Sequence, residues 1–115
     1  MELIPQLAEQ ARRNLAAAGS ERVEVVVGDG TLGLPDRAPF DAIAVAAAAP
    51  EPPPALVEQL ADGGRLVVPV GGRRQQRLLV IERQGTRRDL RVSIPCRFVP
   101  LVGTHGFPPP EPGQK

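Results

Sequence analysis

Two apolar stretches, each meeting a carboxylate, set the terms for how this chain can fold. Val25-Val26-Val27 runs into Gly28-Asp29-Gly30, and a short loop later Ala38-Pro39-Phe40-Asp41 leads into Ala42-Ile43-Ala44-Val45. Near-continuous apolar runs of this kind suit strands buried on both faces of a parallel sheet. In an open α/β sheet, ligands bind at the carboxyl ends of strands, and a carboxylate placed there can accept hydrogen bonds from a nucleoside. Asp29 occupies such a place. Gly28 and Gly30 would let the backbone turn sharply and let a ligand come close. The same triplet is also good turn chemistry, with Asp29 as a turn-stabilising cap. Both readings stand on these residues alone.

The rest of the composition narrows the class. A chain of 115 residues makes at most one domain. With three Phe and neither Trp nor Tyr, the core must be built from Val, Leu, Ile and Ala. Fourteen basic and 13 acidic residues give a net charge of +1, which is no nucleic-acid footprint. Cys96 is the single cysteine, so no internal disulfide can form, and it reads as a small buried apolar residue. No segment has the apolar run needed to span a bilayer. Glu2 and Pro5 precede an amphipathic helix, unlike a secretory signal. The expectation is a soluble cytoplasmic protein with no membrane and no nucleic-acid partner. No metal-ligand cluster is visible. His105, the sole histidine, reads as polar surface, Asp41 as a solvated strand start, and no catalytic residue is assigned.

Local patterns give an element order. Residues 5–18 read as a helix, with Pro5 in the first turn, Leu7, Ala8, Ala11 and Leu15 at helical spacing, and Gly19 as the stop. Residues 21–27 and 41–46 read as strands, and 52–60 as a short helix that Asp62-Gly63-Gly64 ends in a turn. Strands follow at 65–70, 77–83 and 87–94, the last alternating charged and apolar residues, with a turn at Gln84-Gly85-Thr86. Residues 96–102 make one more apolar segment. From Pro108 the proline density predicts an extended, mobile tail, although Pro109 to Pro112 has the spacing that docks in aromatic grooves. The order predicts an α/β fold with an antiparallel end.

Five blocks in sequence order carry a resemblance. They are Glu2-Leu3-Ile4-Pro5-Gln6-Leu7-Ala8; Val27-Gly28-Asp29-Gly30-Thr31; Ala38-Pro39-Phe40-Asp41-Ala42-Ile43; the run from Leu60-Ala61-Asp62-Gly63-Gly64 through Arg65-Leu66-Val67-Val68-Pro69-Val70-Gly71; and Arg97-Phe98-Val99-Pro100-Leu101-Val102-Gly103 with Gly106-Phe107. From Glu2 to Phe107 the chain resembles the C-terminal half of the protein-L-isoaspartate O-methyltransferases. The resemblance implies a Rossmann-like S-adenosylmethionine-dependent methyltransferase fold, truncated, with a mostly parallel sheet and antiparallel C-terminal strands. It implies a partial domain over residues 1–107 and a Pro-rich disordered tail over 108–115.

The same resemblance implies roles. Glu2 would accept hydrogen bonds from the ribose hydroxyls of S-adenosylmethionine, its bland alternative being a frayed chain end. Asp29 would accept the adenine amino group, with Gly30 and Thr31 flanking the pocket. The implied reaction is methylation of the free carboxylate of an L-isoaspartyl or D-aspartyl residue in a damaged protein or peptide. The ester then collapses to a succinimide, a route back to normal aspartate.

Three departures qualify what is implied. The family's glycine-rich loop, which holds the methionine end of the cofactor, has no counterpart ahead of Glu2, and the upstream segment of the peptide cleft has none either. Ala46-Ala47-Ala48-Ala49-Pro50 lacks the Thr that commonly precedes the alanines. The expectation is an inactive partial domain. Alternatives are a non-catalytic remnant that binds a nucleoside weakly or serves as an interaction scaffold, and a small-molecule methyltransferase of the same superfamily. In the superfamily the first two strands lie between those matching residues 21–27 and 41–46. With the first missing and only a stub of the second remaining at residues 2–4, a gap of roughly 10 Å, about two strand spacings, would open. Unpaired edges at residues 23–27 and 41–46 would then favour self-association.

Overall fold

The computed structural model describes residues 1–20 and 22–109. The expected proline-rich tail therefore lies outside the described residues from Pro110 onward. Packing divides the chain into two compact units, Met1–Gly30 and the remainder from Thr31.

In the first unit, helix α1 spans Pro5–Ala17 with Pro at its start. That proline gives up an amide that has no helical partner in the first turn anyway. Gly19 ends the helix at φ 75°. Its amide donates to the Ala16 carbonyl at 3.2 Å, and the Ser20 amide donates to the Leu15 carbonyl at 2.8 Å. This paired closure satisfies carbonyls that the helix end would leave bare, and it needs a left-handed residue.

The strand expected over residues 21–27 is corrected by the structure. Glu21 lies outside the described residues, and 22–27 form no ladder; Val27 makes only an isolated parallel bridge with Glu2. A strand exists through its neighbours, and among the described residues Glu2 alone bridges to this segment. The Val25 carbonyl is taken instead by the Arg12 guanidinium, at 3.0 Å.

In the second unit, β1 (Phe40–Ala44), α2 (Pro54–Glu58), β2 (Leu60–Gly71), β3 (Gln76–Gln84) and β4 (Arg87–Cys96) follow in order. The sheet runs β1-β2-β3-β4. The α/β class and the antiparallel C-terminal strands are as expected. The sheet is mixed: β1 and β2 are parallel, while β2/β3 and β3/β4 are antiparallel. Residues 22–27, which would have added parallel character, stand outside it. Register places Ile43 beside Leu66, Leu66 opposite Ile81, and Val68 opposite Leu79. Onto this face pack Leu56 of α2, Leu60 and Ala49, so that Leu60, Leu66 and Val68 are wholly buried. Burying side chains of this size contributes about 1.5–3 kcal/mol each.

The second departure from expectation is at the start of β2. Asp62-Gly63-Gly64 does not separate a helix from a strand; it is an irregularity inside β2. Pairing with β1 jumps from Phe40↔Leu60 to Ala42↔Arg65. Gly63 takes φ 79°, and a Cβ on Gly64 would sit 2.8 Å from the Phe40 carbonyl oxygen. Three prolines at 52–54 also shorten α2 to Pro54–Glu58. After β4, residues 97–109 form no strand: they cross back through isolated bridges, Ala48↔Pro100 and Val102↔Phe107.

Candidate functional site

The expected site residues fall on both units, and each is described where it stands. In the first unit the Glu2 amide donates to the Val26 carbonyl, and the Gly28 amide donates to the Glu2 carbonyl, both at 2.9 Å. Two parallel segments thus end side by side, one at Glu2 and the other running into Gly28-Asp29-Gly30. The Glu2 carboxylate oxygen Oε1 accepts from the Ile4 amide at 3.1 Å, which steadies the entry to α1. Among the described residues its other oxygen has no recorded bond. Glu2, Gly28, Asp29 and Gly30 are all half-buried.

The glycines do less turning than expected. Neither Gly28 nor Gly30 has positive φ. A Cβ on Gly28 would come 3.2 Å from the Met1 methyl, whereas one on Gly30 would meet nothing within 4 Å. Conformation therefore does not require glycine at 30. What glycine leaves there is open space against the backbone.

In the second unit, Thr31 is fully buried. Its Oγ1 accepts the His105 amide at 3.1 Å. Gly106 packs behind it: an added Cβ would collide with the Leu101 carbonyl and lie 3.3 Å from the Thr31 methyl. The Phe107 amide returns to the Leu101 carbonyl at 2.7 Å, closing the loop, and the Arg73 guanidinium stacks 4.9 Å from the Phe107 ring centroid. His105 and Asp41 are exposed, in keeping with surface roles. Cys96 is half-buried rather than buried.

Sequence reading missed two buried glutamines. Gln59, 8% exposed, holds the loop after Thr31: its Oε1 accepts from the Leu34 amide and its Nε2 donates to the Leu32 carbonyl, each at 2.9 Å. Gln76, 2% exposed, donates to the Gly72 carbonyl at 2.7 Å and accepts from the Phe98 amide at 2.8 Å. The available signal was a carboxamide set against apolar neighbours, such as Gln59 before Leu60. Buried polar groups of that kind are kept where they close loops. Among the described residues no group of three or more His, Cys, Asp or Glu could hold a metal, and no helix is long and apolar enough to cross a membrane.

Comparison with known proteins decides the family. Residues 1–106 match the family model described as protein-L-isoaspartate(D-aspartate) O-methyltransferase. The chain belongs to that family. A protein-L-isoaspartate O-methyltransferase of Methanoregula boonei is 56% identical over 108 residues, covering 93% of this chain and 49% of that protein. A solved protein-L-isoaspartate O-methyltransferase superposes with a TM-score of 0.82 at 31% identity, over 91% of this chain and 34% of its own. A second structure, a putative family member from Plasmodium falciparum in complex with S-adenosyl-L-homocysteine, gives 0.74 at 24% identity, over 88% of this chain and 50% of its own. At that identity it supports the fold alone. The chain spans about half the length of the curated relatives it matches.

Proposed function

We propose that this chain carries the adenosine-binding part of a protein-L-isoaspartate O-methyltransferase, with S-adenosylmethionine as methyl donor and isoaspartyl residues of proteins or peptides as acceptors. One observation carries the reading: the parallel backbone bridge that brings the Glu2 main chain alongside Val27, where the chain enters Gly28-Asp29-Gly30. Ligands gather where parallel strands end. The acceptor set suits the adenosine half of the cofactor. Two carboxylates accept from ribose hydroxyls and from an exocyclic amine. The open α-carbon face of Gly30 leaves room for a flat ring.

When bound, the cofactor supplies an electrophilic methyl group on a sulfonium. Glu2 then holds the ribose through its free carboxylate oxygen, and Asp29 orients the adenine. Thr31 works from within the fold, fixing the backbone that follows Gly30 through its bond to the His105 amide. No general base is needed, because a carboxylate acceptor with a pKa near 4 is already ionised at neutral pH. The chain's task is alignment and exclusion of water. A cytoplasmic setting accords with this chemistry. The exposed Val23 and Val27 and the outer edge of β1 support self-association as well.

Titration with S-adenosylhomocysteine, followed by NMR up to millimolar ligand, tests the reading. Shifts confined to residues around Glu2 and Asp29, weakened about tenfold or more by Asp29→Ala, are expected, since hydrogen bonds to charged groups contribute about 1.5–3 kcal/mol. Binding that Asp29→Ala leaves unchanged defeats the assignment. No binding at all favours a scaffold without a nucleoside site.

A further inference from the structure

We infer that β4 is a self-pairing edge, through which two copies of this chain join in one continuous antiparallel sheet, in the register that sets Leu90 opposite Leu90. The surface concerned differs from the edges named above, at residues 23–27 and on β1. β4 is the last strand of the sheet, and every residue of it from Arg87 to Pro95 is exposed. An edge of this kind presents unused backbone donors and acceptors to another strand.

The apolar face of the sheet does not stop where its cover stops. Leu66, Ile81 and Leu90 form one cross-strand row. Leu66 and Ile81 are buried, while Leu90 is 55% exposed. In the next row Val68 is buried and Val92, opposite Leu79, is 54% exposed. A second copy paired along β4 in this register would bring its own Leu90 across the axis and extend the first row, while Val92 would face Arg88 of the second copy, whose aliphatic stem can lie over it.

Charge selects the register. Directly opposite like charges destabilise an antiparallel pair, and unlike charges stabilise it. A two-fold axis at Leu90 places Asp89 of each copy opposite Arg91 of the other, giving two unlike pairs. Moving the axis to Arg91 sets arginine against arginine, and moving it to Asp89 sets aspartate against aspartate. An axis at Val92 draws Pro95 into the ladder, although Pro has no amide to donate. It also crosses the irregularity between the Leu79↔Val92 and Arg77↔Pro95 pairs. Within one copy the row Arg65, Glu82, Asp89 ends on a carboxylate at the edge. Arg87 of the same copy already pairs with Asp89 at 3.1 Å, and Arg91 of a second copy would add a cation directly across the edge from it.

Analytical ultracentrifugation of the 115-residue chain, with circular dichroism as the check on folding, tests the inference. The expected result is a dimer that Arg91→Asp weakens by about tenfold or more, and that the charge swap Asp89→Arg with Arg91→Asp restores. In a Cys96→Ala background, Leu90→Cys should form a disulfide-linked dimer under mild oxidation, whereas Arg87→Cys should not. A monomeric wild type overturns the inference. So does a dimer indifferent to Arg91→Asp, which would leave the other edges as the contact, or one that the swap fails to restore.

Discussion

Gln59 closes its carboxamide over Gly33, bonding the Leu34 amide on one side and the Leu32 carbonyl on the other. The space is so tight that a Cβ at position 33 would overlap the Gln59 amide, and Gly33 stands at φ 65° besides. Two substitutions should therefore fail for related reasons. Gln59→Leu strips both bonds and should lower unfolding free energy by about 1–3 kcal/mol. Gly33→Ala adds left-handed strain and a clash, and should cost at least about 1–2 kcal/mol. Urea unfolding of each variant measures this; wild-type midpoints would show that the latch is idle.

Two other glycines should behave in opposite ways. Gly106→Ala drives a methyl into the Leu101 carbonyl and should destabilise by about 1–3 kcal/mol. Gly30→Ala meets nothing and carries no φ penalty, so its stability should stay within about 0.5 kcal/mol of wild type. Its affinity for S-adenosylhomocysteine should nonetheless fall, because the added methyl fills the open face. Thermal melting beside ligand titration separates the two effects.

Thr31 gives a cleaner probe of the buried hydroxyl. Thr31→Val preserves shape but leaves the His105 amide without its acceptor, at a cost of about 1–3 kcal/mol. Thr31→Ser keeps the hydroxyl and should lose less. If chemical denaturation ranks valine at or above serine, the bond contributes nothing.

A polypeptide made of residues 1–115 alone should show no methyl transfer to an isoaspartyl peptide in a labelled-methyl assay. On the function proposed above, residues 1–115 would supply acceptors for the adenosine half only, with no glycine-rich loop for the methionine end. Turnover above a matched control from the expression host would require a different account of how the cofactor is held.

The sequence made α1 and its Gly19 stop legible, because helical spacing and a left-handed glycine are local signals. The β3–β4 hairpin was equally plain from the turn at Gln84-Gly85-Thr86 and the alternation that follows it. Residues 22–27 were misread since a β-branched run reports propensity, not whether a neighbouring strand is there to pair with it. The start of β2 was misread because Asp62-Gly63-Gly64 suits a turn and a strand irregularity alike, and only the contact with Phe40 distinguishes them. Family resemblance picked out Glu2 and Asp29. Gln59 and Gln76 act across long sequence separations that no local pattern encodes.

That irregularity in β2 reaches well beyond its own strand. The Asp62 carboxylate accepts the Gly85 amide at 2.7 Å, and Arg83 bridges the Gly85 and Leu60 carbonyls at 2.9 and 2.6 Å. The tip of the β3–β4 hairpin is thereby riveted to the point where the Phe40 and Gln59 backbones meet. Tugging on that distant tip, by a bound partner or by Asp62→Ala, would slacken the latch over Gly33 without a single atom of the latch being replaced.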